Sequence, residues 1–239
     1  MKVSTALLPG VLVAVGTAAA STLGVAPVRI ELNPKATVAV VTVRNQEDSP
    51  VVVQARPATW SQHDDHDELD DTHELLVTPP LFTIPPKGQQ VLRVALLRKP
   101  DPARELDYRL VLSEVPPPPA PDSHELQVAL RITLPVFVAA PLRTSADLTW
   151  HHSWLPDGTL RITAQNRGTA HVQVLDFDAA SADHAEQKLH AGTARYLLPG
   201  GSAHWELRAA PGVSPATRLL IDGHSDVGDF SVTSEPGGS

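Results

Sequence analysis

Between Leu126 and Val138 the chain reads LQVALRITLPVFV. Leu126, Val128, Leu130, Ile132, Leu134, Val136 and Val138 are all apolar, while Gln127, Ala129, Arg131, Thr133, Pro135 and Phe137 fill the alternate positions. Period-two alternation of this kind belongs to a half-buried strand. Thirteen residues at about 3.3 Å each would make it roughly 40 Å long, about twice an ordinary strand. Pro135 has no N–H to give a neighbour, which places it on a sheet edge or at a bulge. A long apolar edge invites pairing by another chain. The expected occupant is a chain that lacks a strand of its own.

The ends and composition narrow the class. Lys2, the apolar run Ala6–Val15 and the small residues Thr17-Ala18-Ala19-Ala20 form a secretory leader, with cleavage expected after Ala20. Its apolar core is too short to span a membrane, and no later segment is long enough, so membrane insertion is not expected. Loss of Lys2 would take the net charge from −8 to −9, and an acidic chain is poorly suited to nucleic acid. No cysteine is present, which removes disulfides, thiolate metal sites and cysteine catalysis. The 23 prolines and the scarcity of helical periodicity point to strands and turns.

Two all-β units are expected. In the first, candidate strands are Val28–Leu32, Thr37–Arg44, Val51–Ala58, Val91–Leu97, Tyr108–Glu114 and Leu126–Val138. Asn33-Pro34, Glu47–Pro50, Pro85–Gly88, Lys99–Pro102 and Pro116–Asp122 separate them as turns. Pro141–Ser145 reads as a hinge. Beyond it lie candidate strands Leu148–Trp154, Thr159–Gln165, His171–Asp178, Ser202–Arg208 and Thr217–Asp222, with Glu235–Ser239 expected to fray. The division is a leader (1–20), a first domain (21–142) and a second (143–239).

Several segments carry a family resemblance. Ala26-Pro27-Val28-Arg29-Ile30 looks like a first strand with its arginine. Leu76–Phe82 followed by Pro86–Arg93 resembles a TPP segment and the strand after it. Arg104–Pro116 and then Leu126–Pro141 look like the last two strands of the first domain; Asn166–Val174 and Leu197–Trp205 match in the second. In this order they resemble the PapD-like periplasmic chaperones of the chaperone–usher pilus pathway, and Pro135-Val136-Phe137 most resembles the archaic branch.

The resemblance implies two immunoglobulin-like sandwiches set at an angle, with a cleft between them. It implies a periplasmic chaperone that holds pilus subunits by lending them a strand and delivers them to an outer-membrane usher. Leu126, Val128, Leu130 and Ile132 would enter the subunit's apolar groove, in the β-augmentation mode, while Leu134, Val136 and Val138 would stay in the chaperone's core. Arg29 would bind the subunit's terminal carboxylate through its guanidinium fork. The family's second cationic anchor falls at Pro135, and Arg131 is the alternative cation. Glu105 matches an interdomain acid whose arginine partner is replaced by Ala139. A free chaperone of this kind could cap its own strand by dimerising.

Other constellations are weaker. Residues 61–74, SQHDDHDELDDTHE, hold three histidines among many acids, but the spacing fits no defined metal site. By the resemblance they form a loop between strands of the first domain, with its acids solvated. His151 and His152 would point to opposite faces of a strand. There is no Gly-x-Ser-x-Gly elbow, phosphate loop or dinucleotide fingerprint, so neither an enzyme nor a cofactor is expected. The rival reading is a secreted structural or adhesive sandwich protein.

Overall fold

A computed structural model of the chain describes residues 23–117, 128–181, 184–208 and 218–237; among these are eighteen strands and no helix. The expected leader and Leu126 lie outside the described residues.

The first two sheets face each other. One contains, in order, β1 (Leu23–Ala26), β3 (Val38–Asn45), β8 (Gln89–Leu96) and β6 (Leu75–Thr78). The other runs β2 (Ile30–Leu32), β10 (Arg131–Val138), β9 (Leu106–Glu114), β4 (Val51–His63) and β5 (His66–Asp71), with β7 (Leu81–Ile84) also on β4. Alternation decides which side chains meet. Val41, Val43, Leu92 and Val94 from one sheet and Ile30, Val53, Leu110, Leu112, Leu134 and Val136 from the other form one buried cluster. Leu134, Val136 and Val138 are core members, as expected.

The second unit contains β11 (Leu148–Trp154), β12 (Thr159–Asn166), β13 (Val172–Ser181), β14 (His184–Ala191), β15 (Arg195–Leu197), β16 (Ser202–Arg208), β17 (Leu219–Ser225) and β18 (Gly228–Pro236). Their order is β14-β13-β17-β18-β11-β12-β16, with β15 on β13. The sheet encloses its own core around Trp150, Ile162, Phe177, Trp205 and Ile221. The chain is thus all-β, with two immunoglobulin-like sandwiches.

Three expectations are corrected. The long strand is shorter: β10 begins at Arg131, and Val128–Leu130 lie outside it. Its neighbour runs out, because β9 ends at Glu114 and Pro116 and Pro117 follow, which cannot donate to a ladder. The expected strand Val28–Leu32 is interrupted; the chain leaves one sheet after Ala26 and joins the other at Ile30, leaving Val28 and Arg29 in a bend between sheets. Glu235 does not fray: it pairs with His151, and Gly237 N–H donates to His152 O at 2.7 Å.

Each unit closes a turn with a buried asparagine. Asn45 donates to the carbonyls of Ser49, Ile84 and Pro85 and accepts from Glu47 N–H. Asn166 donates to the carbonyls of Ala170 and Leu197 and accepts from the N–H groups of Asp147 and Gly168. Removing the Asn166 amide strands several buried groups, each carrying a penalty of about 1–3 kcal/mol. Asn166→Ala is expected to lower unfolding stability by about 2–4 kcal/mol, measured by urea titration of the purified chain.

Candidate functional site

The edge of β10 supplies the first part of the site. β10 pairs along its whole length with β9, from Arg131↔Ser113 to Val138↔Leu106. On its other side β2 covers only Val136–Val138. No described strand pairs with Arg131–Pro135 on that side. Glu114 N–H donates to Leu130 O at 2.9 Å, so even-numbered residues exchange main-chain bonds with β9. Antiparallel alternation then aims the main-chain groups of Arg131, Thr133 and Pro135 at the open side. Pro135 therefore sits where its missing N–H breaks no ladder, which is the edge placement its sequence called for. Along the even face Leu134 is buried, Ile132 is half-buried against the core, Leu130 is half-buried, and Val128 is 59% exposed. Apolar character continues past the point where the chain's own core ends.

The odd face of β10 turns toward the second domain. There Trp60, Phe137 and Leu198 are buried together, with Leu69 and Tyr196 packed against them. Two arginines flank these rings. The Arg29 guanidinium carbon lies 5.1 Å from the Phe137 ring centre. That of Arg109 lies 3.4 Å from Trp60 and 5.6 Å from Tyr196. Arg109 stands directly opposite Pro135 across the β9–β10 ladder, and Pro135 is where the family's second cationic anchor falls by resemblance. Burial lowers the Arg109 pKa, and Asp67, at 3.6 Å, opposes that effect. Arg131 shares the odd face, but it is six residues from Phe137, roughly 20 Å along the strand. The fold does not bring it to Arg29.

A buried charge cluster joins the domains. His171 N–H donates to Glu105 Oε1 at 2.9 Å, and its Nδ1 is 2.5 Å from the same oxygen. The imidazole stacks on Phe137, with centroids 3.4 Å apart and planes 5° apart. Its Nε2 is 3.7 Å from Asp226 Oδ2, a charge contact rather than a hydrogen bond. Asp226 in turn accepts from Arg29 Nη1 at 2.5 Å and from Gln173 N–H at 2.8 Å. His171 is thus the partner that Glu105 finds in the second domain.

Proton affinities follow from this packing. Burial alone would lower His171, but the Asp226 and Glu105 carboxylates outweigh it and raise its pKa. Burial would raise Glu105 and Asp226; the His171 contacts, with Gln173 N–H and Arg29 also acting on Asp226, outweigh it, lowering Glu105 and holding Asp226 at about 2. Asp107, beside Glu105, is pushed up to about 8 by burial and then by that negative neighbour. Glu105, Asp107 and His171 offer three potential metal-ligand atoms within 4.8 Å of one another. The 2.5 Å Nδ1–Oε1 separation is a proton-sharing distance, well short of the about 3.3 Å between two ligands on one tetrahedral ion with 2.0–2.1 Å bonds.

The stretch 61–74 is not a loop. Much of it forms the β4–β5 hairpin, turning at Asp64 and Asp65 with φ of 48° and 67°, the two positive φ values of a tight hairpin turn that aspartate tolerates. Its tip grips the second domain. Asp65 pairs with Arg195 at 2.5 Å and with His204 Nδ1 at 2.8 Å. Gln62 donates to Tyr196 O and accepts from Leu198 N–H, both at 2.9 Å.

Of the residues expected at the site, Arg29 lines the cleft and Val128, Leu130 and Ile132 follow the even face, while Leu126 lies outside the described residues. Asp107, Arg109, His171 and Asp226 join them without having been expected there. The available signal was the odd face, where Asp107 and Arg109 on one strand and Pro135 and Phe137 on the next depart from plain polar exposure.

Comparison with known proteins bears on the family and the fold. Residues 22–141 match the family model for pili and flagellar-assembly chaperones, PapD N-terminal domain. The chain belongs to that family. No curated protein matches it. A chain of the CsuC–CsuE chaperone–tip adhesion subunit pre-assembly complex, from the archaic chaperone–usher Csu pili of Acinetobacter baumannii, superposes with a TM-score of 0.66 at 16% identity, covering 89% of this chain and 98% of that one. A chain of the Salmonella enterica SafA pilin–SafB chaperone complex gives 0.61 at 16% identity, covering 92% and 98%. The E. coli chaperone DraB gives 0.56 at 19% identity, covering 92% and 97%. Family and fold are those of non-enzymatic pilus chaperones, and a chaperone role follows.

The cluster sets the pH response of the junction. A raised His171 and a raised Asp107 mean that the folded chain holds more protons than the unfolded one above the usual carboxylate range. Stability must then fall as pH rises through the folded pKa of His171 and through about 8 for Asp107. The lowered Glu105 and Asp226 act oppositely, their contribution disappearing as pH drops below the carboxylate range. Melting temperature is expected to decline from just above the carboxylate range through about pH 8, and His171→Gln to flatten the part of that decline above the ordinary histidine pKa of about 6.5, as read by calorimetry across pH.

Proposed function

We propose that this chain is a periplasmic chaperone that captures pilus subunits by donor-strand complementation and passes them to an outer-membrane usher. The observation that carries the reading is the open edge of β10 over Arg131–Pro135, continued on one face by Ile132, Leu130 and the exposed Val128. A subunit lacking a strand would pair with that edge through main-chain hydrogen bonds and accept those side chains, with Leu126 as the outermost. Each side chain fully buried would contribute about 1.5–3 kcal/mol. In this reading residues 21–142 form the domain that lends the strand, and 143–239 the second wall of the cleft.

Register would be set by a carboxylate bound at Arg29, where the edge meets the cleft. Arg109, opposite Pro135, provides the second positive charge on the cleft side; the distant Arg131 does not share that place. No ATP is needed. The subunit's later exchange onto a better-fitting strand would drive release. The uncovered edge also gives a free chaperone reason to pair with a second copy of itself.

Val128→Asp and Leu130→Asp each put a charge into the groove, at a cost of about several kcal/mol. Co-expression with the pilus subunits encoded beside it, followed by co-purification, is expected to yield a stoichiometric complex with the unmodified chain and none with either variant. Arg29→Ala should weaken capture while leaving the fold intact by circular dichroism. Subunits equally stable with and without this chain would favour the structural-sandwich alternative.

A further inference from the structure

The cleft arginine already holds a carboxylate. Arg29 Nη1 donates to Asp226 Oδ2 at 2.5 Å, and Asp226 comes from the turn between β17 and β18 of the second domain. Glu31 lies 2.9 Å from Arg29 Nε. We propose that Asp226 is a built-in stand-in for the partner's terminal carboxylate, so that capture exchanges one carboxylate for another at Arg29. This inference rests on the reading of Arg29 as the anchor.

Asp226 is secured independently of Arg29. Its Oδ1 accepts Gln173 N–H at 2.8 Å, its own N–H donates to Gln173 O at 3.0 Å, and His171 Nε2 stands 3.7 Å away. When Arg29 turns to an incoming group, Asp226 keeps the Gln173 N–H donor and the neighbouring His171 imidazole. The exchange therefore avoids leaving an uncompensated buried charge, the costly outcome of breaking such a pair.

There is also room for the incoming group. A cavity of about 170 Å³ adjoins Arg29 and is lined by Glu31, Glu105, Phe137, Ala139 and His171. The small side chain of Ala139 contributes to that opening. Glu105 on its wall faces His171 at 2.5 Å, which offsets its repulsion of an incoming anion. Arg29 remains 30% exposed at its side chain, so the guanidinium is reachable from the cleft.

The alternative role for Asp226 is a plain strut between domains, and the two roles differ in sign. Loss of a strut loosens the cleft and weakens capture. Loss of a competing carboxylate strengthens it. One consequence of exchange is that the carboxylate adds less net affinity than an unpaired Arg29 would give it, which favours later release.

The test uses an eight-residue peptide of alternating valine and threonine with a free terminal carboxylate, and the same peptide as a terminal amide. Both are titrated by calorimetry into the mature chain, its Asp226→Asn variant and its His171→Gln variant. Asp226→Asn is expected to bind the acid about fivefold tighter, the scale of one partly exposed ion pair, with the amide unchanged. His171→Gln, which leaves the Arg29–Asp226 pair in place, should show no such gain. In the unmodified chain, the ¹³Cγ resonance of Asp226 should shift on adding the acid and not the amide, which keeps the test valid if Asp226→Asn does not fold. Equal or weaker acid binding by a folded Asp226→Asn, with acid still preferred to amide, overturns the stand-in and leaves the anchor. An Asp226 resonance that ignores an acid still preferred to amide does the same. No preference for acid over amide in any form, absence of binding included, overturns both.

Discussion

The junction between the domains depends on the Glu105–His171 contact. A carboxylate one residue before β9 and an imidazole one residue before β13 meet at 2.5 Å in a buried site, with the ring laid flat on Phe137 of β10. The contact and the stack on Phe137 tie the first domain, including the strand with the open edge, to the second. It also brings His171 Nε2 to 3.7 Å from Asp226, the carboxylate that faces Arg29 and is itself held by Gln173. Buried ion pairs are poor sources of net stability, because desolvation offsets attraction. Their better-attested use is to specify one arrangement among several. Here the arrangement specified is the relation between an edge that a partner can use and a cation that a partner can reach.

The hairpin from β4 to β5 performs a second version of the same task. Its tip carries Asp65 to Arg195 and His204, and its stem carries Gln62 to the main chain around Tyr196 and Leu198. The domains are thus joined by this hairpin as well as by the Glu105–His171 contact, with the Trp60–Phe137–Leu198 cluster also shared between them. An acidic stretch that looks like solvated charge in the sequence is a strut in the fold. The open edge of β10 is left free by the same economy of strands: β2 covers only three residues of it, and the prolines after Glu114 stop β9 from extending further.

Much of the fold was legible because alternation is a local property. β11 and β16 fall where the sequence places them, and Leu134, Val136 and Val138 are buried because their parity demands it. The leader and Leu126 fall outside what the structure describes. What was not legible depends on distant segments. β5 and β18 are poor in the unbroken alternation that marks a strand, and they exist because β4 and β17 present partners to them. β10 is shorter than its pattern, since a strand needs a neighbour as well as a period. Arg29 could be picked out by resemblance, yet its partner Asp226 is 197 residues away, and nothing in either segment alone announces the pair. His171 stood at the start of a candidate strand with no sign that Glu105 would meet it.

The most direct test of the account is hydrogen exchange at the open edge of β10. The amides of Arg131 and Thr133 are followed by NMR in the free monomeric chain and in its complex with a co-expressed pilus subunit. The account predicts rapid exchange in the free chain and strong protection in the complex, as the subunit's strand takes up the outward-facing N–H groups. A stable complex in which both amides still exchange as fast as in the free chain would contradict it.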